Sequence, residues 1–141
     1  MKIVLDTNVL IAATFWEGAS AKVMEMIEQK KIRGYVSEEI LNEYANSIQK
    51  KRLQIKKKEL GILLSYAKLA SITEKINPEV RYKVVLADPD DDKIIECAKA
   101  ADADCILSYD HHLLDLKVIL GVPVLTPEQF LSMQAGKPKG I

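Results

Sequence analysis

The chain opens on a short apolar run, Met1 to Leu5, that stops at a carboxylate, Asp6. A short run of this kind predicts a buried first strand of a parallel sheet. Thr7 and Asn8 suit the cap of a helix that starts near Val9 and is interrupted at Glu17-Gly18. A second helix, over 20–30, places Val23, Met24, Met26 and Ile27 around a partly apolar face. Tyr35-Val36, between Gly34 and Ser37, predicts a short second strand. Ser37 then caps a helix over 38–51 that carries Ile40, Leu41, Tyr44 and Ile48 at helical spacing. Its capping box is incomplete, because Ile40 stands where Glu or Gln is needed. A break over 53–55 leads to a helix over 57–70 with Leu60, Leu63, Leu64 and Ala67 on one side.

Residues 71–76 alternate weakly and predict a third strand, and Asn77-Pro78 breaks the chain. The pattern leaves Val84-Val85-Leu86 unassigned. A helix over 91–101 turns Ile94, Ile95 and Ala98 inward. Cys105-Ile106-Leu107-Ser108 is a strand that runs into Tyr109-Asp110, followed by a helical turn over 112–116. Pro123-Val124-Leu125 is the last strand. Thr126 is the N-cap and Pro127 the first residue of a final helix. Strands alternating with helices imply an α/β fold, a mostly parallel sheet covered on both faces. Residues 1–135 form one domain, and the Gly/Pro/Lys-rich segment 136–141 is a flexible tail. In such sheets ligands bind outside the carboxyl ends of the strands, where the strand order reverses. Asp6 and Asp110 both fall at that edge.

Composition narrows the function classes. The 141 residues carry 20 Lys plus Arg against 20 Asp plus Glu, so the formal net charge is zero. There is no global pull toward nucleic acid, and any such affinity rests on local patches. No apolar stretch approaches the ~20 residues of a membrane span, and the N-terminus lacks the pattern of a secretory signal. A cytoplasmic protein is the expectation. Cys97 and Cys105 fit no metal or redox spacing and read as buried reduced thiols.

Four acids carry the chemistry. Asp6, Glu43, Asp91 and Asp110 lie at strand ends or just inside the helices that follow. Carboxylates brought together repel one another unless a cation neutralises them. Hard oxygen ligands suit Mg²⁺ or Mn²⁺, and such an ion activates water and polarises a phosphodiester. The pattern therefore points to a metal-dependent nuclease. Plainer roles stand beside this one. Asp6 also suits an N-cap, and Asn8, placed to orient it, suits a turn. Glu43, one turn past Glu39, taken alone is a solvated helix residue. Ser108 is placed to meet a phosphate or a water, or is simply a polar strand end.

The run Asp88-Pro89-Asp90-Asp91-Asp92 concentrates four carboxylates at a helix start, where the dipole favours them. It is not a calcium loop: Lys93 and Lys99 occupy the Gly and Glu positions that such a loop requires. His111 and His112 are adjacent, point apart, and read as exposed or capping groups. Lys50-Lys51-Arg52 and Lys56-Lys57-Lys58 place six cations in nine residues. They form a solvated helical hairpin or a phosphate-contacting rim. Phe15-Trp16 suits core packing or a dimer contact more than base stacking.

Taken in order, four segments resemble PIN-domain nucleases. They are Met1-Lys-Ile-Val-Leu-Asp6-Thr-Asn-Val-Leu-Ile11, Ser37-Glu-Glu-Ile-Leu-Asn-Glu43-Tyr, Asp88-Pro-Asp-Asp91-Asp-Lys and Ala103-Asp-Cys-Ile-Leu-Ser108-Tyr-Asp110. The resemblance spans nearly the whole chain and is greatest to the toxin components of bacterial and archaeal toxin–antitoxin pairs. It implies a three-layer α/β/α sandwich around a central sheet of about five strands. It also implies Mg²⁺- or Mn²⁺-dependent cleavage of RNA, a homodimer and a small antitoxin protein as partner. Carried over by position, Asp6 is a metal ligand, and Glu43, Asp91 and Asp110 complete the acidic quartet. Asp91 is chosen by its spacing to Ala98, with Asp90 and Asp92 as alternatives. Asn8 and Ser108 fall on polar positions that line the substrate site. Three residues depart from the family pattern: Ser108 stands where Thr is usual, Tyr109 replaces a small residue and narrows the mouth, and His112 takes the place of a further acid. The competing readings are a phosphohydrolase with Asp6 as nucleophile, and a non-catalytic module that binds nucleic acid or protein.

Overall fold

The structure, a computed structural model, describes residues 1–55, 59–81 and 92–136, with side chains apart from those of 51–60 and 62. Val84-Val85-Leu86 and nearly all of the tail lie outside the described residues. Gly136 is the C-cap of the last helix.

Six strands and seven helices are formed among the described residues: β1 (Lys2–Leu5), α1 (Thr7–Phe15), α2 (Ala19–Glu28), β2 (Arg33–Val36), α3 (Glu38–Ile55), α4 (Glu59–Ile72), β3 (Glu74–Lys75), α5 (Asp92–Ala101), β4 (Cys105–Leu107), α6 (His111–Leu114), β5 (Val118–Ile119), β6 (Val122–Leu125) and α7 (Pro127–Ala135). The strand order is β3-β2-β1-β4-β6-β5. All pairings are parallel except β5 with β6. The chain lays β2 and β3 on one side of β1 and then returns to lay β4 and β6 on the other. The strand order thus reverses between β1 and β4. Parallel crossovers are right-handed, so α1 to α4 cover one face and α5 the other. The result is the expected three-layer α/β/α arrangement.

β1 is central because its inner residues are wholly apolar. Ile3, Val4 and Leu5 are fully buried, as are Ile106 and Leu107 of β4. Each such side chain contributes about 1.5–3 kcal/mol relative to exposure. The register pairs Leu5 with Leu107, which sets the next residues, Asp6 and Ser108, side by side at the carboxyl end. The Asp6 N–H continues the ladder to the Leu107 carbonyl at 2.9 Å. Gly34 lets α2 lie close on β2: a Cβ there would stand 2.6 Å from Ile27 Cδ1.

Several elements differ from the sequence reading. α1 starts at Thr7, with Asp6 as its cap. α3 continues through the expected break to Ile55. On α4, Leu63 and Leu64 of the leucine-bearing side are exposed, while Leu69 is buried. The inward stripe is Leu69, Ile72 and Tyr66, whose ring stacks on Tyr44 at 6.1 Å. Among the described residues the sheet has six strands, where about five were expected. The unanticipated β5 forms a two-residue hairpin with β6 through Leu120 and Gly121, both at positive φ (49° and 81°). Cys97 and Cys105 are buried reduced thiols, as expected, and burial pushes the Cys97 thiol up to about 12. Among the described residues no helix is long and apolar enough to cross a membrane.

Candidate active site

The acidic edge is built around Asp6. Its Oδ1 accepts the Thr7 N–H at 2.7 Å. Its Oδ2 accepts the Ser108 hydroxyl at 2.6 Å and the Asn8 amide at 3.3 Å. The same Ser108 oxygen accepts the Asp110 N–H at 2.9 Å, and Asn8 Oδ1 accepts the Tyr109 N–H at 3.1 Å. Two connections, β1 to α1 and β4 to α6, are thereby laced together across the point where the strand order reverses. Ser108 is fully buried, so its hydroxyl is committed to holding Asp6 and Asp110 in register. Asp110 caps α6 by accepting the His112 N–H at 2.9 Å. Both histidines are exposed, in keeping with the sequence reading, but they do not point apart: their ring centroids lie 4.5 Å from each other at 59°.

Burial dominates the electrostatics of Asp6. It pushes the carboxyl above its ordinary 3.8 against the pull of the Ser108 and Thr7 hydrogen bonds; Glu43 adds a further push and Lys93 a counter-pull. Glu43, on the second turn of α3, is therefore close enough for its charge to act on Asp6. Its carboxylate meets the Lys93 ammonium at 2.5 Å, and that lysine side chain is 13% exposed. Glu39, one turn earlier, turns instead to Arg81 at 2.6 Å, which also binds the buried Glu96 at 2.9 Å. The two like charges of α3 are separated by binding different cations.

The structure thus brings Asp6, Asn8, Ser108 and Asp110 together and places Glu43 within electrostatic reach. Asp91 and Asp90 lie outside the described residues, while Asp92, the first residue of α5, is buried. Among the described residues no group of three or more His, Cys, Asp or Glu is arranged to hold a metal ion. Asp6, at the centre, presents hard carboxylate oxygens, and its charge is opposed by burial and by Glu43. That donor chemistry fits Mg²⁺ or Mn²⁺. The Thr7 hydroxyl, buried beside Asp6, finds no hydrogen-bond partner among the described residues.

The family model for the PIN domain matches residues 2–112, well over half of the chain. The chain belongs to the PIN domain family. Two solved structures share its fold. PAE2754 from Pyrobaculum aerophilum superposes with a TM-score of 0.67 at 14% identity, over 97% of this chain and 91% of that one. A chain from the structure of VapBC2 from Rickettsia felis, bound to a DNA fragment from their promoter, superposes with a TM-score of 0.65 at 16% identity, over 89% of this chain and 98% of that one. No curated protein matches the sequence.

Two features of this PIN domain escaped sequence reasoning. The sequence shows Lys93 as a residue that spoils a calcium loop and ends the acidic segment, yet its ammonium pairs with Glu43. The available signal was its place directly after the acidic run. The second is a chain from Ser20 through the Tyr109 hydroxyl to Glu128, at 3.2 and 2.7 Å. It joins α2, the loop after β4 and α7, segments no linear pattern connects. Of the six clustered cations, Lys50 is exposed, and the other side chains lie outside the described residues.

Proposed function

We propose that this PIN domain is a Mg²⁺- or Mn²⁺-dependent endoribonuclease and the toxin half of a toxin–antitoxin pair. The observation that carries the reading is the state of Asp6. It is a buried carboxylate at the reversal of strand order, held by three hydrogen-bond donors, with a second carboxylate near enough to oppose its charge. Burying such a group without a compensating cation is costly. Lys93 compensates in part, and a divalent ion does so more fully.

In this reading Asp6, Glu43, Asp91 and Asp110 hold the ion. When bound it supplies hydroxide at neutral pH and stabilises charge on the phosphate and the departing oxygen. Ser108 and Asn8 fix the direction of the Asp6 oxygens, so substrate meets a site already organised. The alternative role for Glu43, balanced by Lys93, is general base toward the attacking water. The likeness in fold to a chain of VapBC2 supports a small antitoxin as partner, and a homodimer is the assembly we propose for the toxin.

The test is cleavage of single-stranded RNA with Mg²⁺ or Mn²⁺. Asp6→Asn is expected to abolish turnover while circular dichroism remains that of the folded protein. Undiminished cleavage by that variant removes Asp6 from the mechanism.

A further inference from the structure

A cavity of about 150 Å³ opens beside the acidic edge, where the end of α1 and the α1–α2 turn face Tyr109 and Glu128. Trp16 forms its rim with 53% of its surface exposed. The indole stands edge-on to Phe15, at 5.9 Å and 62°, and Phe15 in turn packs on the core. Opposite are the Tyr109 hydroxyl and the Glu128 carboxylate, the hydroxyl donating to Oε1 at 2.7 Å and accepting from buried Ser20 at 3.2 Å. Tyr109 lies between Ser108 and Asp110, and its backbone N–H is held by Asn8. The cavity and the acidic edge therefore share one short, hydrogen-bonded loop.

We propose that this cavity is a base-selecting subsite that takes a guanine of the RNA next to the cleaved phosphate. The proposal rests on the nuclease reading above, since only a phosphate at the acids sets a neighbouring base here. An aromatic face stacks on any base, and single-stranded RNA is read along the exposed base edges. The selective element is Glu128, which can only accept hydrogen bonds. Guanine alone presents two adjacent donors on its pairing edge, N1–H and the N2 amino group. Cytosine and adenine present one amino group beside an acceptor, and uracil one N–H flanked by two carbonyls. Among the described residues the lining contains Glu17 and Glu128 and no Lys or Arg, which argues against a phosphate in the cavity itself. Of the Phe15-Trp16 pair, Phe15 packs on the core and Trp16 stands as an exposed rim.

Trp16 is the single tryptophan of the chain, so its fluorescence reports this cavity without any turnover. The full chain in EDTA is titrated with guanosine, adenosine, cytidine and uridine 5′-monophosphates, and with arginine methyl ester. Saturable quenching is expected from the guanosine nucleotide, at least fivefold tighter than from the other three. Glu128→Gln, a surface change, is expected to remove that preference while stacking persists. For Trp16→Ala, equilibrium dialysis should show guanosine monophosphate binding about tenfold weaker or more, the loss expected for one stacked base. Equal quenching by all four nucleotides, none by any, or a guanine preference that survives Glu128→Gln overturns the proposal. Quenching by the arginine ester but not by guanosine monophosphate also overturns it and assigns the cavity to a cationic side chain. The two readings fail separately. RNA cleavage without selective quenching keeps the nuclease and removes the subsite; guanine-selective quenching in a chain that cleaves no RNA keeps the subsite and removes the nuclease.

Discussion

Side chain by side chain, the acidic edge is a contest between burial and compensation. Asp6 and Ser108 were legible because each ends an apolar strand, where a polar group has to be explained. Asn8 was legible as the near neighbour able to orient Asp6. What could not be read was how the charges pair. Glu39 and Glu43 look equivalent along α3, yet one meets Arg81 and the other Lys93, a choice made by which helix each faces. Lys93 supplies the next prediction. Its ammonium pairs Glu43 and lowers the cost of ionising Asp6, so it competes with any divalent ion for the same carboxylates. Lys93→Met keeps the aliphatic stem and deletes the charge. The variant should bind Mn²⁺ several-fold more tightly by calorimetry, since close opposite charges are worth on the order of 1 kcal/mol or more at a partly buried site. Weaker Mn²⁺ binding by the variant would make Lys93 a supporter of the metal site and not its competitor.

Elements were predicted well where local chemistry and burial agree, and poorly where one acts alone. α7 is the agreeing case. Thr126 accepts the Gln129 N–H at 3.1 Å, Gln129 accepts the Thr126 N–H at 2.9 Å, and Pro127 opens the helix. Thr126→Ala should therefore lower stability by about 1 kcal/mol, typical for loss of an N-cap, as a shift in the denaturant midpoint without a change in slope. The β5–β6 hairpin is the opposite case. A two-residue turn with both positions at positive φ normally announces itself as Asn-Gly; here it is Leu120-Gly121, and the pattern hid it. Leu120 holds φ of 49° while 45% exposed, a left-handed conformation that branched apolar residues disfavour. Leu120→Asn should raise stability by roughly 0.5–1 kcal/mol, in the range of turn optimisation. No gain on thermal unfolding would mean that the Leu120 side chain makes up for its backbone. The orientation of α4 is a third case. Periodicity shows that Leu63 and Leu64 share a face, but only the stacking of Tyr66 on Tyr44 and the burial of Leu69 decide which face is inside.

For the molecule as a whole, alternating strands and helices were enough to predict a parallel sheet with a ligand edge, because right-handed crossovers leave few ways to arrange them. The acidic edge then follows from topology, and its cost is shared by the entire fold. Burial and Glu43 hold the Asp6 carboxyl above its ordinary 3.8. Below that pH the group is protonated in both the folded and unfolded chain, and stability is unaffected. As pH rises through the window between the unfolded and the raised folded value, the unfolded chain releases its proton first. Stability therefore falls, and the loss persists to neutral pH. Asp6→Asn removes that penalty, so in EDTA at pH 7 its Tm should exceed that of the natural chain, and the difference should vanish on acidification. A bound cation removes the same penalty differently, because it stabilises the folded state alone. Mn²⁺ at one hundred times its Kd should stabilise the natural chain by about 2.7 kcal/mol, a Tm rise of roughly 5–11 °C for a chain near this size. The asparagine variant should respond far less. If Mn²⁺ raised both Tm values equally, the ion would be binding away from Asp6. If the variant were less stable in EDTA, the hydrogen bonds from Thr7, Asn8 and Ser108 would outweigh the burial of the charge, and Asp6 would be a structural cap before anything else.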